Sequence, residues 1–282
     1  MTDTRTRIRT LSAAQKVILA MGGVVALVLI AWGVLQLASF FGRTTYQREL
    51  TLTPTAGRIH VDMNGGISIQ TGPGPEVRVT EQVHYGLRKP RLIESVTGKG
   101  VELTARCAPF ISNCSVDAVL TVPAGLAVDA HSSGGDITAS GLTGSVRLDS
   151  SGGGVTASGL TGSVVLHSSG GDITASGLAG KVQLDSSGGG VRATGLTGRQ
   201  VDARSSGGDV ELVFDAAPDR VGADSSGGGV RIELPSVDSG YHVNADSSGG
   251  DTRTDVKTDP GSPRLIEAHS SGGDVRISGR LP

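Results

Sequence analysis

Histidine, aspartate and arginine recur at one position of a sequence repeat, directly before the tetrapeptide Ser-Ser-Gly-Gly. In chain order these residues are His131, Asp149, His167, Asp185, Arg204, Asp224, Asp246 and His269. Imidazole and carboxylate groups both bind transition metals, so a metal site along His131, Asp149, His167 and Asp185 is one interpretation. The calcium-binding solenoid sequence Gly-Gly-x-Gly-x-Asp is absent. We therefore predict that the protein binds no metal or other cofactor.

A structural role is the alternative interpretation of these charges. The residue after each tetrapeptide is, in order, Asp136, Gly154, Asp172, Gly190, Asp209, Gly229, Asp251 and Asp274. Where His or Arg precedes a tetrapeptide, Asp follows that tetrapeptide. The acidic residues are therefore divided between the position before the tetrapeptide and the position after it. If the repeats stack as strands about 4.8 Å apart, like charges directly opposite one another would destabilise the stack. The alternation avoids this, and in chain order only the pairs Asp224/Asp246 and Asp251/Asp274 break it.

The serines and glycines of the repeat could instead provide a catalytic nucleophile or a phosphate-binding loop. The nucleophile sequence Gly-x-Ser-x-Gly is absent, and no helix pattern follows the glycine pairs, as a phosphate-binding loop would require. A polysaccharide-cleaving β-helix enzyme usually offers paired carboxylates and stacking rings, but few aromatic residues follow Arg43: Tyr46, Tyr85, Phe110, Phe214 and Tyr241. We predict that the protein is not an enzyme and has no catalytic residues.

Two cysteines, Cys107 and Cys114, are separated by six residues. On an external segment a pair this close indicates a disulfide, and two free buried thiols are the alternative. A structural zinc site needs four ligands, and redox chemistry usually uses Cys-x-x-Cys. Neither fits this spacing.

The repeats predict an all-β fold. They begin at Ser132, Ser150, Ser168, Ser186, Ser205, Ser225, Ser247 and Ser270, and a period near 20 residues indicates a solenoid. Apolar residues alternate with polar ones, as in Ile137/Ala139 and Val146/Leu148, which is the strand pattern. We predict a single-stranded parallel β-solenoid (β-helix) ectodomain with rungs of about 18–23 residues, preceded by one transmembrane α-helix.

The glycine pairs of the tetrapeptides are predicted to form turns by adopting positive φ. They are Gly134, Gly135, Gly152, Gly153, Gly170, Gly171, Gly188, Gly189, Gly207, Gly208, Gly227, Gly228, Gly249, Gly250, Gly272 and Gly273. A second corner, Gly141-Leu142-Thr143-Gly144, is expected to carry a buried leucine that recurs as Leu160, Leu178 and Leu196.

Composition supports a core of small side chains and excludes one class of partner. The chain has 282 residues, 44 of them glycine, and only 3% are aromatic. The formal net charge is −2, so the protein is not a broadly basic nucleic-acid binder.

The run from Val17 to Phe41 is predicted to span a membrane. No residue between Lys16 and Arg43 is charged, and about 20 helical residues cross a bilayer. Arginines and Lys16 in residues 1–16 favour a cytoplasmic N-terminus. A cleaved signal peptide is the competing interpretation, but the run is longer than its usual apolar region of about 7–15 residues. A buried soluble helix is a further alternative.

This pattern predicts four parts: a cytoplasmic tail over 1–16, a transmembrane helix over 17–41, a juxtamembrane linker over 42–57 and a β-solenoid ectodomain over 58–282. Within the ectodomain, 58–128 would be degenerate capping rungs pinned by the cysteine loop, and 129–282 the Ser-Ser-Gly-Gly repeats. The protein would be a single-pass membrane protein with its C-terminal domain outside the cytoplasm.

These features resemble the bacterial putative-adhesin family of β-strand-repeat proteins. The resemblance covers about residues 58–282. It rests on the Ser-Gly-Gly-Asp-Val/Ile rungs, on Cys107 and Cys114 followed by Leu120–Gly125, and on Arg264–Ala268. It implies a β-solenoid tethered to a bacterial membrane and an envelope role, and it carries over no catalytic residues.

We therefore expect a non-enzymatic surface adhesin or envelope interaction module whose partner is a cell-wall polymer or an envelope protein. The alternative is a sensor or regulatory ectodomain of an envelope-stress system. In chain order the rung at Val275–Ile277 would leave an open sheet edge, which predicts end-to-end self-association.

Overall fold

The computed structural model describes residues 21–34, 44–98, 100–108 and 113–280. Residues 21–34 form a helix (α1), and the other described residues contain 23 strands joined by turns and loops. The strands are β1 Thr44–Leu52, β2 Arg58–Met63, β3 Ile67–Thr71, β4 Val77–Tyr85, β5 Arg91–Thr97, β6 Gly100–Arg106, β7 Cys114–Val122, β8 Ala127–Ser132, β9 Ile137–Ser140, β10 Val146–Ser150, β11 Val155–Ser158, β12 Val164–Ser168, β13 Ile173–Ser176, β14 Lys181–Ser186, β15 Val191–Leu196, β16 Gln200–Ser205, β17 Val210–Phe214, β18 Arg220–Ser225, β19 Val230–Pro235, β20 His242–Ser247, β21 Thr252–Asp255, β22 Leu265–Ser270 and β23 Val275–Arg280.

Each repeat contributes one strand to each of two sheets. Sheet A has the order β1-β4-β7-β3-β9-β11-β13-β15-β17-β19-β23-β21, and sheet B has the order β20-β22-β18-β16-β14-β12-β10-β8-β2-β6-β5. Neighbouring strands in the repeat region are parallel and in register, so Val146 lies beside Val164 one rung later. The prediction of an all-β, parallel-rich solenoid is confirmed.

The alternating residues of both sheets form one narrow core. Ile137, Val146 and Leu148 are at most 2% exposed, and the corner leucines Leu142, Leu160, Leu178 and Leu196 are fully buried. Valine and alanine fill most inward positions, and Phe214 and Tyr241 are the only aromatic residues that are fully buried among the described residues.

The proximal end, where β1 begins, departs from simple stacking. β4 pairs antiparallel with both β1 and β7, and β5 pairs antiparallel with β6. The prediction of a linker over 42–57 is wrong for Thr44–Leu52, which pairs along its whole length with β4. The reason lies in its own alternation, since every second residue from Tyr46 to Leu52 is partly buried.

Arg48 of β1 joins the two sheets at this end. Its Nη2 lies 2.6 Å from Glu81 of β4 and 2.5 Å from Glu94 of β5. Burial acts to lower the pKa of Arg48, but the hydrogen bonds and charges of Glu81 and Glu94 outweigh it and raise that pKa. Glu81 is only 2% exposed, so the guanidinium is what compensates its buried charge.

The distal end contains a crossover that the repeat spacing does not reveal. β22 lies between β18 and β20, and β23 lies between β19 and β21. The expectation that Val275–Ile277 forms the open edge is wrong, because β20 and β21 form that end of the stack.

Burial explains the crossover. β23 points Val275 and Ile277 into the core, where both are fully buried. β21 has Thr252 and Thr254 at the corresponding positions, and neither is buried. A polar rung suits the end of a stack and an apolar rung suits its interior, as in other repeat proteins whose terminal repeats have a polar outer face.

The predicted membrane segment lies partly outside the described residues, because 17–20 and 35–41 are not among them. The described helix α1 has exposed apolar side chains, including Leu27 and Ile30. Within the described part of the chain, no helix has the length and apolar character needed to span a bilayer.

Candidate functional site

The first serine of each Ser-Ser-Gly-Gly joins adjacent rungs. Ser150 Oγ donates a hydrogen bond to Gly135 O of the preceding rung at 2.9 Å and accepts one from Gly153 N at 3.0 Å. The same pair of bonds recurs at Ser132, Ser168, Ser186, Ser205, Ser225, Ser247 and Ser270. These hydroxyl groups are engaged in holding the stack, which is a structural role and not a nucleophilic one.

The tetrapeptide glycines lie in the turns between strands, but the reason we predicted for them is wrong. None of the sixteen has positive φ; that conformation occurs instead at the other corner, at Gly141, Gly159, Gly177 and Gly195. The tetrapeptide glycines are needed because adjacent turns nearly touch. A Cβ added at Gly153 would lie 2.6 Å from the backbone nitrogen of Asp136.

The residues that precede the tetrapeptides form a column along the outer face of sheet B, and Asp62 of β2 extends it by one strand. In spatial order it is Asp62, His131, Asp149, His167, Asp185, Arg204, Asp224, His269 and Asp246. Acidic and basic side chains alternate without exception, because the crossover inserts His269 between Asp224 and Asp246. Arg204 Nε lies 3.5 Å from Asp224, and His269 Nδ1 lies 2.7 Å from Asp246.

The aspartates that follow the tetrapeptides bond to the next rung. Asp136 Oδ1 accepts a hydrogen bond from Gly154 N at 2.8 Å, and Asp172 accepts one from Gly190 N in the same way. Asp209 and Asp274 repeat the arrangement. In the described residues, no three or more His, Cys, Asp or Glu side chains are grouped so that they could hold a metal ion.

Cys107 and Cys114 form a disulfide, with their Cα atoms 5.9 Å apart. Asn64, in the turn between β2 and β3, donates from Nδ2 to Cys114 O at 2.8 Å, and its Oδ1 accepts from Val116 N at 3.2 Å. The disulfide region is thereby attached to the neighbouring rung. Residues 109–112 of the enclosed loop lie outside the described residues.

The outer face of sheet A carries a different column at its distal end. Arg231 of β19, Arg276 of β23 and Arg253 of β21 are directly opposite one another in successive strands, and all three are exposed. We call these three residues the arginine ladder. Like charges in this arrangement destabilise a sheet, so the ladder contrasts with the strict alternation on sheet B.

Three acidic residues beside the arginine ladder, Asp209, Glu211 and Asp274, are already engaged within the protein. Glu211, the next residue of the column, is 2.7 Å from Arg192. Asp209 Oδ1 accepts from Gly229 N and Asp274 Oδ1 accepts from Asp251 N.

The ladder's own arginines differ in their partners. Arg253 Nε donates to Asp255 at 2.6 Å, and this hydrogen bond, together with the attraction of the carboxylate, raises the pKa of Arg253. Arg231 and Arg276 make no ion pair or side-chain hydrogen bond with any described residue.

A groove of about 600 Å³ runs beside the ladder. Arg231 and Arg276 line it together with Arg192, and the glycine turns at Gly228, Gly229 and Gly273 lie along it. Because these turns have no side chains, a ligand can approach the backbone closely there. Sequence reasoning missed this site, although a signal was present: Arg231, Arg253 and Arg276 are each the third residue after a Ser-Ser-Gly-Gly tetrapeptide.

The model of one protein family, described as "Toastrack DUF4097", matches residues 100–279. The chain belongs to the Toastrack DUF4097 family. This match confirms the resemblance to a family of β-strand-repeat proteins. No curated protein matches the chain.

Three solved structures are similar to this Toastrack chain. A "putative adhesin" from Parabacteroides distasonis ATCC 8503 is 13% identical with a TM-score of 0.44, covering 83% of this chain and 97% of its own. A "putative adhesin" from Bacteroides fragilis NCTC 9343 is 14% identical with a TM-score of 0.43, covering 84% and 97%. A "putative cell adhesion protein" from Clostridium sporogenes ATCC 15579 is 12% identical with a TM-score of 0.27, covering 84% and 100%.

Proposed function

We propose that this protein is a non-enzymatic, membrane-anchored binding module of the bacterial cell envelope, acting as an adhesin or an envelope-polymer receptor. The observation that carries the proposal is the groove beside Arg231 and Arg276, where two cationic side chains have no partner among the described residues. The first serine of each tetrapeptide has its hydroxyl engaged in contacts between rungs, which supports a role in binding rather than in catalysis.

The anchoring part of the proposal is supported by the uncharged run from Val17 to Phe41. Part of that run is the exposed helix α1. In this arrangement the N-terminus lies in the cytoplasm, and the solenoid lies outside with its proximal end towards the membrane. The arginine ladder, at the other end of the stack, faces away from the bilayer and towards the rest of the envelope.

Co-sedimentation tests this function. The full-length chain in non-ionic detergent is mixed with cell-wall sacculi from the source organism, and the bound fraction is measured against protein concentration. Saturable binding is expected. A bound fraction that rises without saturation, or no binding at all, contradicts an envelope-polymer role. Crosslinking in intact membranes would then test the alternative, a sensor or regulatory ectodomain that acts on a membrane protein.

Self-association through the distal edge is a separate part of the proposal. The strands at this edge, β20 and β21, are short and carry charged residues, including Asp246, Arg253 and Asp255. Such residues discourage edge-to-edge pairing in natural sheets, so we expect any end-to-end dimer to form only at high protein concentration. Light scattering over a concentration series measures this, and a constant monomer mass throughout argues against a dimer.

A further inference from the structure

The arginine ladder breaks a rule that the outer face of sheet B keeps. On the outer face of sheet B, acid and base alternate through nine successive strands, from Asp62 to Asp246. On the outer face of sheet A, three arginines stand in succession with no acid between them in the column. Places where a protein departs from its own stabilising pattern are often functional sites. The repulsion within the ladder favours binding of an anion that relieves it.

The acidic and basic side chains that line the groove differ in whether they have partners within the protein. The three carboxylates that line it, Asp209, Glu211 and Asp274, each accept a hydrogen bond or form an ion pair within the protein. The guanidinium groups of Arg231 and Arg276 do neither among the described residues. The lining holds three arginines and three carboxylates, and Arg231 and Arg276 are the arginines in it that have no acidic partner among the described residues.

The geometry of the ladder suits an extended ligand. Three adjacent strands place the arginines over a length of about 10 Å, along the axis of the solenoid. A guanidinium group binds carboxylate and phosphate oxygens through two parallel N–H donors. The groove is open along the stack, so a chain with acid groups at intervals could meet successive arginines, whereas a single small anion would meet one or two.

We propose that the arginine ladder, Arg231, Arg276 and Arg253, binds a linear acidic polymer of the cell envelope that lies along the solenoid axis. The recognised chemistry is an oxyanion repeated along the polymer, and either a uronate carboxylate or a phosphodiester supplies it. This inference rests on the proposed envelope-binding function and names the ligand class of the same groove.

Calorimetric titration of the full-length chain in non-ionic detergent tests the inference. Polygalacturonate supplies the carboxylate arm, poly(glycerol phosphate) the phosphate arm, and dextran the neutral control. We expect one of the acidic polymers to bind and dextran not to bind, with affinity that falls as salt screens the charges. The arm that binds identifies the oxyanion. Failure of both acidic polymers to bind overturns the inference.

Arg276→Gln removes the central charge of the ladder, and Arg147→Gln is its matched control. Arg147 is an exposed arginine on the outer face of sheet B, between Asp129 and Val165. We expect Arg276→Gln to weaken binding by about 5-fold and Arg231→Gln/Arg276→Gln by about 10-fold or more. Arg147→Gln should change the affinity less than about 2-fold. Equal losses in Arg276→Gln and Arg147→Gln overturn the inference.

Thermal unfolding without polymer separates binding from a structural role. Because Arg276 faces a like charge on each side, Arg276→Gln should leave Tm unchanged or raise it by about 1–4 °C. A clear fall in Tm would mean that Arg276 supports the fold, and would overturn the inference.

Binding to sacculi distinguishes the proposed envelope-binding function from the inference about the arginine ladder. If sacculi bind wild type and Arg231→Gln/Arg276→Gln equally, the envelope function stands and the ladder inference fails. If acidic polymers bind through the ladder but sacculi do not bind, the ladder inference stands and the proposed envelope function fails.

Discussion

Replacement of Ser150 by alanine should destabilise the solenoid strongly for so small a change. The side chain is fully buried, and its Oγ both donates to Gly135 O and accepts from Gly153 N. Alanine leaves both backbone groups without that partner. An unsatisfied buried polar group costs about 1–3 kcal/mol. Since Gly135 and Gly153 are half-buried, we take the lower limit for each, a total of about 2 kcal/mol.

Ser151 provides the matched control for this prediction. It is the next residue, it is exposed, and its hydroxyl makes no hydrogen bond within the described residues. Ser151→Ala should change the free energy of unfolding by less than about 0.5 kcal/mol.

Thermal unfolding of the full-length chain, followed by circular dichroism, measures both variants. The loss at Ser150 corresponds to a fall in Tm of about 4–8 °C. If Ser150→Ala and Ser151→Ala unfold at the same temperature, the serine hydroxyls do not hold the rungs together and the reasoning is refuted.

Three further predictions concern the turns, the proximal end and the distal end. Gly153→Ala should lower the free energy of unfolding, measured by denaturant titration, by about 2–3 kcal/mol, because the added Cβ meets the backbone of the adjacent turn. Gly57→Ala is the control: its added Cβ lies in open space, so it should change the free energy of unfolding little. Arg48→Met should lower the free energy of unfolding by about 3–5 kcal/mol, because it leaves the buried carboxylate of Glu81 unpaired. Adding Glu81→Gln to Arg48→Met should recover part of this loss in a denaturant titration. If it recovers none, the ion pair is not the cause. Burial raises the pKa of Tyr241, so the contribution of Tyr241 to stability is complete below pH 10, near the unfolded pKa, and is lost as pH rises through the folded pKa. The Tm of the wild type should therefore fall more steeply between pH 9 and 11 than the Tm of Tyr241→Phe. Parallel curves for the two proteins would contradict this prediction.

The repeat region was predictable because its signals are local. Alternation such as Ile137/Ala139 and Val146/Leu148 specifies strands with one buried face, and the spacing of the tetrapeptides gives the rung length. Both follow from the two-residue period of a strand, which needs no knowledge of distant contacts. The disulfide between Cys107 and Cys114 was predictable for the same reason, since its partners are close in the chain.

The order of the rungs was not predictable from these signals, because every rung has nearly the same strand pattern. Two local signals nevertheless pointed to the crossover. Thr252 and Thr254 are polar at positions that elsewhere hold core residues. Asp224 and Asp246 would also be neighbours if the rungs stacked in chain order, and only the insertion of β22 separates them.

The arginine ladder had a local signal that was missed. Arg231, Arg253 and Arg276 are each the third residue after a Ser-Ser-Gly-Gly tetrapeptide, in three consecutive repeats. Stacking in chain order would also align them, and the crossover changes only their order, placing Arg276 between Arg231 and Arg253.

The crossover also sets an order of events during synthesis. Thr252–Asp255 leaves the ribosome before Val275–Arg280 does, yet its neighbour in sheet A is that later segment. The same holds in sheet B, where β20 depends on β22. From β8 to β19 each new strand pairs with one already made, so we expect growth of the solenoid to follow translation rung by rung over this part and to pause at β19. The segment from His242 to Asp255 has no strand to pair with until β22 and β23 have been synthesised. We therefore expect the last two rungs to be added together.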